Sequence, residues 1–271
     1  MTKLSRPQII FLGNGPLAAA TLATLQESCE IIFHARRAAD LAQVVQLKKD
    51  NPAALAVLAS FGVIIRPDVL AAFEPVGILN IHPSLLPKYR GPSPIETAIL
   101  NGDTEFGGSV MKLAPEMDAG PIYHQETLQF NQNTAKSVIY EQLAAAGARW
   151  IAENASKFTS NPDQLPPTTP QNDTEATFTP KLATTLSELK PAEKPAERLL
   201  NEIRAYQGWP KSKYTYHNIE CTILQAHPAA TDENSPLALL CSDGTYLIPD
   251  RLQPASKKPM DAKSFINGYL K

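Results

Sequence analysis

The residues of this 271-residue chain best suited to chemistry are an asparagine, a histidine and an aspartate lying between positions 77 and 123. Asn80 and His82 stand two apart at the end of the apolar run GILNIH. In a strand, side chains two apart point the same way, so both face one cavity while Ile81 packs behind them. Pro83 has no N–H for a ladder, so the strand stops there and presents the histidine at its rim. An amide beside an imidazole suits attack on a carbonyl carbon. The amide donates to the oxygen that becomes negative, and the imidazole donates or shuttles a proton near neutral pH. The plain alternative is that Asn80 caps a loop and His82 makes a structural hydrogen bond. Asp118, in the Gly/Pro-bounded loop MDAGP, can orient His82 or take a proton from an attacking amine through water. It can equally be an ordinary turn aspartate.

Between them runs Ser84-Leu85-Leu86-Pro87, a rigid and partly apolar loop fit to clasp a flat ligand, followed by Lys88-Tyr89-Arg90-Gly91. Lys88 and Arg90 are available to an anion, but taken alone they read as solvated. Pro94 then opens a helix through Leu100, because proline is tolerated in the first turn.

The elements that position these residues alternate short apolar runs with helical patterns. Residues 9–12, 30–34, 55–61 and 77–81 read as strands, and 38–49 as an amphipathic helix. A helix carrying Leu17, Leu22 and Leu25 follows the Gly13-Asn14-Gly15-Pro16 turn. Such alternation implies a doubly wound, mostly parallel sheet, which places ligands at the carboxyl ends of its strands. The turn lacks a full GxGxxG, with Ala18 where the third glycine would stand, and no acidic residue ends the second strand. A tight strand-to-helix turn therefore suffices, without a nicotinamide cofactor.

Residues 156–180 are rich in Pro, Thr and Asn and read as a linker. Beyond it, a helix over 195–206 with Leu199, Leu200 and Ile203 on one face precedes short β-like runs at 214–217, 221–226, 237–241 and 245–249. That pattern predicts a small β-rich domain. The expected division is 1–157, a linker at 158–190, and 191–271.

Composition narrows the classes further. A net charge of -2 gives no overall basic field, although residues 181–271 carry 12 Lys and Arg against 10 Asp and Glu. That slight local excess could hold a phosphate backbone, though solvated surface charge is the better reading of it. Three cysteines without a CxxC pair disfavour a disulfide framework or a cysteine zinc site and suit a reducing cytosol. His34, His82 and His124 lack zincin spacing, so no metal is expected. The first residues lack a signal-peptide pattern, and no apolar run is long enough to span a bilayer.

Taken together, NxHPSLLPxYRGxxP and a following Asp-x-Gly loop resemble the 10-formyltetrahydrofolate-dependent formyltransferase family. The resemblance implies a Rossmann-like catalytic domain in which Asn80, His82 and Asp118 are catalytic. It implies that Ser84, Leu85, Leu86 and Pro87 line the folate site, that Phe61, Gly62 and Ile64 flank the pterin, and that the 113–120 loop closes over it. The mechanism implied is direct attack by an amine on the formyl carbon, with no covalent enzyme intermediate.

Acceptors differ within the family. ATFTPKL at 176–182, IRAY with Trp209-Pro210, and LQPASKKPM at 252–260 resemble the C-terminal part of members that formylate methionyl-tRNA. This implies initiator methionyl-tRNA as partner; a monomeric enzyme is expected, and the lack of a signal peptide or membrane span places it in the cytoplasm. Those members usually carry a long basic loop after the second strand, which enters the acceptor arm. Here HARRAADLAQVVQLKKDNP runs straight to the next strand, leaving Arg36, Arg37, Lys48 and Lys49 as the local positive charge. The shortened loop keeps a sugar-nucleotide amine open as the alternative acceptor.

Overall fold

The computed structural model describes residues 6–160 and 165–270 and divides them into two compact units. The first runs to Ile95 and from Thr104 to Pro180; the second comprises Glu96–Asp103 and the chain from Lys181 on.

The first unit is built on a six-stranded sheet. Its strands are Gln8–Gly13 (β1), Glu30–Ala35 (β2), Leu55–Ala59 (β3), Ile78–His82 (β4), Glu105–Lys112 (β5) and Ile122–Gln129 (β6), in the order β2-β1-β3-β4-β5-β6. The first four pair in parallel, as the alternating pattern predicts, and β5 and β6 are antiparallel. The buried runs serve two cores because alternate residues leave opposite faces. Ile9 and Phe11 of β1 pack in one layer with helices Gly15–Ser28 (α1) and Lys136–Ser160 (α5). Ile10 and Leu12 pack in the other with Leu41–Asp50 (α2) and Pro67–Ala71 (α3).

Several expected elements are shorter or longer than read. The strand expected to reach residue 61 stops at Ala59, since Ser60 turns to a φ of +52°. The helix expected over 38–49 is a 3-10 turn, Ala38–Asp40, followed by α2. The β5–β6 hairpin and α5 are further elements, and the hairpin supplies the loop that holds Asp118.

The expected linker at 158–190 is divided. Helix α5 continues to Ser160, residues 161–164 lie outside the described residues, and 165–180 belong to the first unit.

The second unit holds helices Pro94–Asn101 (α4, from Glu96 on), Ala196–Ala205 (α6) and Ala262–Tyr269 (α7). Its antiparallel sheet comprises Lys213–Tyr216 (β7), Ile219–Ala229 (β8), Leu239–Leu240 (β9), Tyr246–Pro254 (β10) and Met260–Asp261 (β11). Leu199 and Ile203 of α6 share a core with Ile223, Leu247, Leu252 and Phe265. Only Leu239–Leu240 of the run expected at 237–241 is strand. No helix among the described residues is long and apolar enough to cross a membrane.

Candidate active site

Strand β4 carries Asn80 and His82 to the carboxyl end of the sheet. Leu79 and Ile81 anchor the strand in one core and Ile78 in the other, which leaves the two polar side chains on a common face. Asn80 is only 5% exposed, yet its side-chain amide has no hydrogen-bond partner among the described residues. The amide atoms keep some contact with solvent, so the amide stands open to a ligand as a donor.

His82 is held at one ring nitrogen and faces a carboxylate with the other. Nε2 lies 2.9 Å from the Tyr89 carbonyl. A carbonyl only accepts, so Nε2 carries a hydrogen and Nδ1 is the nitrogen left for chemistry. Nδ1 faces Asp118 Oδ2 at 3.7 Å. That gap is too long for a direct hydrogen bond and short enough for attraction to a protonated ring. The structure therefore brings Asn80, His82 and Asp118 to the same end of the sheet.

Asp118 reaches this position from the β5–β6 loop with a φ of +51°, in the left-handed region. The Gly91 N–H donates to its Oδ2 at 2.8 Å. Gly120 is required beside it, since a Cβ there would lie 1.8 Å from the Lys112 carbonyl oxygen. Gly91, at a φ of +113°, brings its backbone against Thr179, where a Cβ would lie 2.7 Å from Oγ1.

The 84–87 loop is fixed from beneath. The Ser84 hydroxyl donates to the Lys88 carbonyl at 2.6 Å. Ser109 of β5 donates to the Ser84 carbonyl at 2.6 Å and accepts from the Leu86 N–H at 3.1 Å. Gln125 of β6 donates to the Leu86 carbonyl at 2.9 Å. Ser84 and Leu86 are buried, whereas Leu85 lies half-buried over Gly107 and Pro87 is half-buried. On the neighbouring 60–65 loop Phe61 is buried and Gly62 is exposed at a φ of +70°. Ile64 there is 90% exposed, an apolar side chain held in water.

Arg90 departs from its expected solvated role. Its guanidinium is buried, with Nε and Nη2 donating to Gln171 Oε1 at 3.0 and 2.8 Å and Nη2 pairing with Asp173 at 2.7 Å. Lys88 is exposed. Lys48 is likewise committed to structure, donating to the Pro52 and Ala54 carbonyls at 2.6 and 2.9 Å, and burial pushes its ammonium below the usual lysine range. Arg37 pairs with Asp40 and caps the 3-10 turn. Among the described residues no three His, Cys, Asp or Glu side chains converge as metal ligands do.

Sequence reasoning missed Gln171, and it singled out the 176–182 stretch without finding that Thr177 and Thr179 pair with residues 89 and 90 of the first unit. Thr177 accepts from the Tyr89 N–H through its hydroxyl at 2.8 Å and from the Arg90 N–H through its carbonyl at 2.8 Å. Thr179 donates its N–H back to the Arg90 carbonyl at 2.8 Å. Only the alternation of threonines in Thr177-Phe178-Thr179 hints at an extended, paired segment. Proline-rich surroundings hid that signal.

A family model described as formyl transferase matches residues 14–154, and one described as formyl transferase, C-terminal domain, matches 188–270. Methionyl-tRNA formyltransferase of Roseiflexus castenholzii is 35% identical over 244 residues, covering 86% of this chain and 75% of that protein. The structure of methionyl-tRNA formyltransferase from Clostridium thermocellum aligns with a TM-score of 0.67 at 18% identity, over 92% of this chain and 98% of that one. HypX from Aquifex aeolicus in complex with tetrahydrofolic acid aligns at 0.72 and 16% identity, over 98% of this chain. This chain spans only about half of HypX, at 48%. The two structures share the fold, and the sequence matches run through both units: this chain belongs to the formyl transferase family.

Proposed function

We propose that this chain transfers the formyl group of 10-formyltetrahydrofolate to the α-amine of initiator methionyl-tRNA, acting as a single chain. The observation that carries the chemistry is the partnerless side-chain amide of Asn80, a residue only 5% exposed, beside the His82–Asp118 pair. A formyl oxygen that accepts from Asn80 gains stabilisation as negative charge develops on it. The amine nitrogen attacks the formyl carbon and must lose a proton, and the bond from that carbon to N10 of the folate then breaks, so that tetrahydrofolate leaves with a proton on that nitrogen. His82 Nδ1 and the Asp118 carboxylate face each other across a gap that accommodates that proton. The Tyr89 carbonyl keeps Nδ1 turned towards Asp118 throughout. The folate donor brings the activated one-carbon group when bound.

Leu85, Pro87, Gly62 and Ile64 are assigned to the folate wall, with Ser84, Leu86 and Phe61 shaping it from behind. The apolar Ile64 side chain in water supports this, since covering it with a flat ring system removes apolar area from solvent. The second unit is assigned to the tRNA. Support comes from the C-terminal family match and from the named relative, whose similarity covers three quarters of its length. A sugar-nucleotide amine is the second reading, favoured by the short connection from β2, where only Arg36 and Arg37 precede the first helical turn.

The catalytic assignment is tested by single-turnover transfer. Asn80→Ala is expected to lower the rate by about two to three decades. His82→Ala is expected to lower it by about two to four. Folate KM should stay near its original value in both. A rate close to that of the unaltered protein in either variant sinks the assignment.

A further inference from the structure

We infer that Gln171, on the segment preceding the second unit, is a positioning residue for the Asp118 turn. The inference rests on the formyl-transfer reading for its effect on rate. Its Nε2 donates to two carbonyls of the turn, Asp118 at 2.8 Å and Gly120 at 2.7 Å. Its Oε1 accepts from Nε and Nη2 of Arg90 at 3.0 and 2.8 Å. This orientation of the amide is the only one that satisfies all its neighbours: a guanidinium only donates and a carbonyl only accepts.

The turn needs such a restraint. Asp118 sits at a φ of +51°, a conformation that residues with a Cβ hold only when their surroundings enforce it. Two carbonyls fixed by one amide hold the backbone on either side of Ala119. The Gly91 N–H then fixes the carboxylate itself at 2.8 Å. Arg90 and Gly91 are consecutive, so one short stretch of chain grips both the backbone and the side chain of Asp118. Arg90 is kept in place by Asp173 and by the extended pairing with Thr177 and Thr179. The segment from 169 to 180 thus works as a strap. Thr169 pairs with Ile122 at one end, and the Ser93 hydroxyl donates to the Pro180 carbonyl at 2.6 Å at the other.

Gln171→Glu keeps the size and the contact with Arg90 but sets a carboxylate oxygen against two carbonyls. Gln171→Ala removes both sets of bonds without that repulsion. Two readouts apply to the whole chain. In formyl transfer, kcat is expected to fall about 10- to 100-fold, with folate KM within about twofold and Gln171→Glu more impaired than Gln171→Ala. In hydrogen exchange, the Gly91 amide is expected to exchange at least about tenfold faster while thermal unfolding shifts little. Unchanged Gly91 exchange, or kcat within twofold in both variants, overturns the inference. Inactive unaltered protein sinks the formyl-transfer reading alone, because the exchange readout still decides the positioning role. Should Gln171→Glu fail to fold, Gln171→Ala carries both measurements.

Discussion

In the proposed mechanism, Asn80 and His82 divide the work that a carbonyl substrate asks of an enzyme. The amide has no partner and is free for the oxygen, whereas the imidazole is locked by Tyr89 so that one nitrogen meets Asp118. Their spacing in the sequence announced a shared face, because strand periodicity is local physics. Their partners were not legible, since the Tyr89 carbonyl and Gly91 N–H are backbone groups that any residue would supply. Arg90 misled for a related reason: an arginine alone reads as solvated, and only its distant partners Gln171 and Asp173 permit its burial. A second histidine gives a pH-dependent prediction. His227 of β8 donates to Asp250 at 2.9 Å and lies 3.4 Å from Glu233. The hydrogen bond to Asp250 raises its pKa above the ordinary value of 6.5. Its contribution to stability is therefore full below about pH 6.5 and lost as pH rises through the folded pKa. The side chain is 40% exposed, so solvent screening limits the gain to about 1 kcal/mol or less. Urea unfolding of His227→Gln should show that deficit at pH 5.5 and none at pH 9. A deficit of equal size at both pH values contradicts the assignment.

The β5–β6 loop is the element on which the account depends, because it delivers Asp118 to a site built on β4. Gly120 permits the loop to cross the Lys112 carbonyl, where a Cβ would lie 1.8 Å away. Gly120→Ala should cost about 1–3 kcal/mol of stability. It should also lower kcat about 100-fold, since a shift of about 1 Å at a reacting group has that effect. Calorimetry and steady-state rates check both, and a variant equal to the original in each speaks against the loop's role. Strands β1–β4 were legible in sequence because buried parallel strands are apolar runs set between helical patterns. The hairpin was harder, since β5 contains Gly107 and Gly108 and half of β6 is polar. The 165–180 segment was least legible. Its order comes from bonds to residues some eighty positions away, as in Tyr89–Thr177 and Arg90–Gln171, and its composition matches that of a loop.

At the scale of the whole molecule, the proposed function places formyl chemistry in the first unit and the choice of acceptor in the second. The first contains the complete set of Asn80, His82, Asp118 and the strap that holds the aspartate. The second carries the match to the C-terminal formyl transferase domain over residues 188–270. The charge of the chain does not decide between a tRNA and a smaller acceptor, and the short β2 connection argues for neither strongly enough to displace the relatedness across both units. The acceptor therefore decides the account. The purified chain is incubated with 10-formyltetrahydrofolate and either methionyl-tRNA or an amino-sugar nucleotide, and formylated product is quantified from each. The account predicts formylmethionyl-tRNA in the first reaction and no formylated sugar in the second. Formylation of the sugar nucleotide, or of neither acceptor, would contradict it.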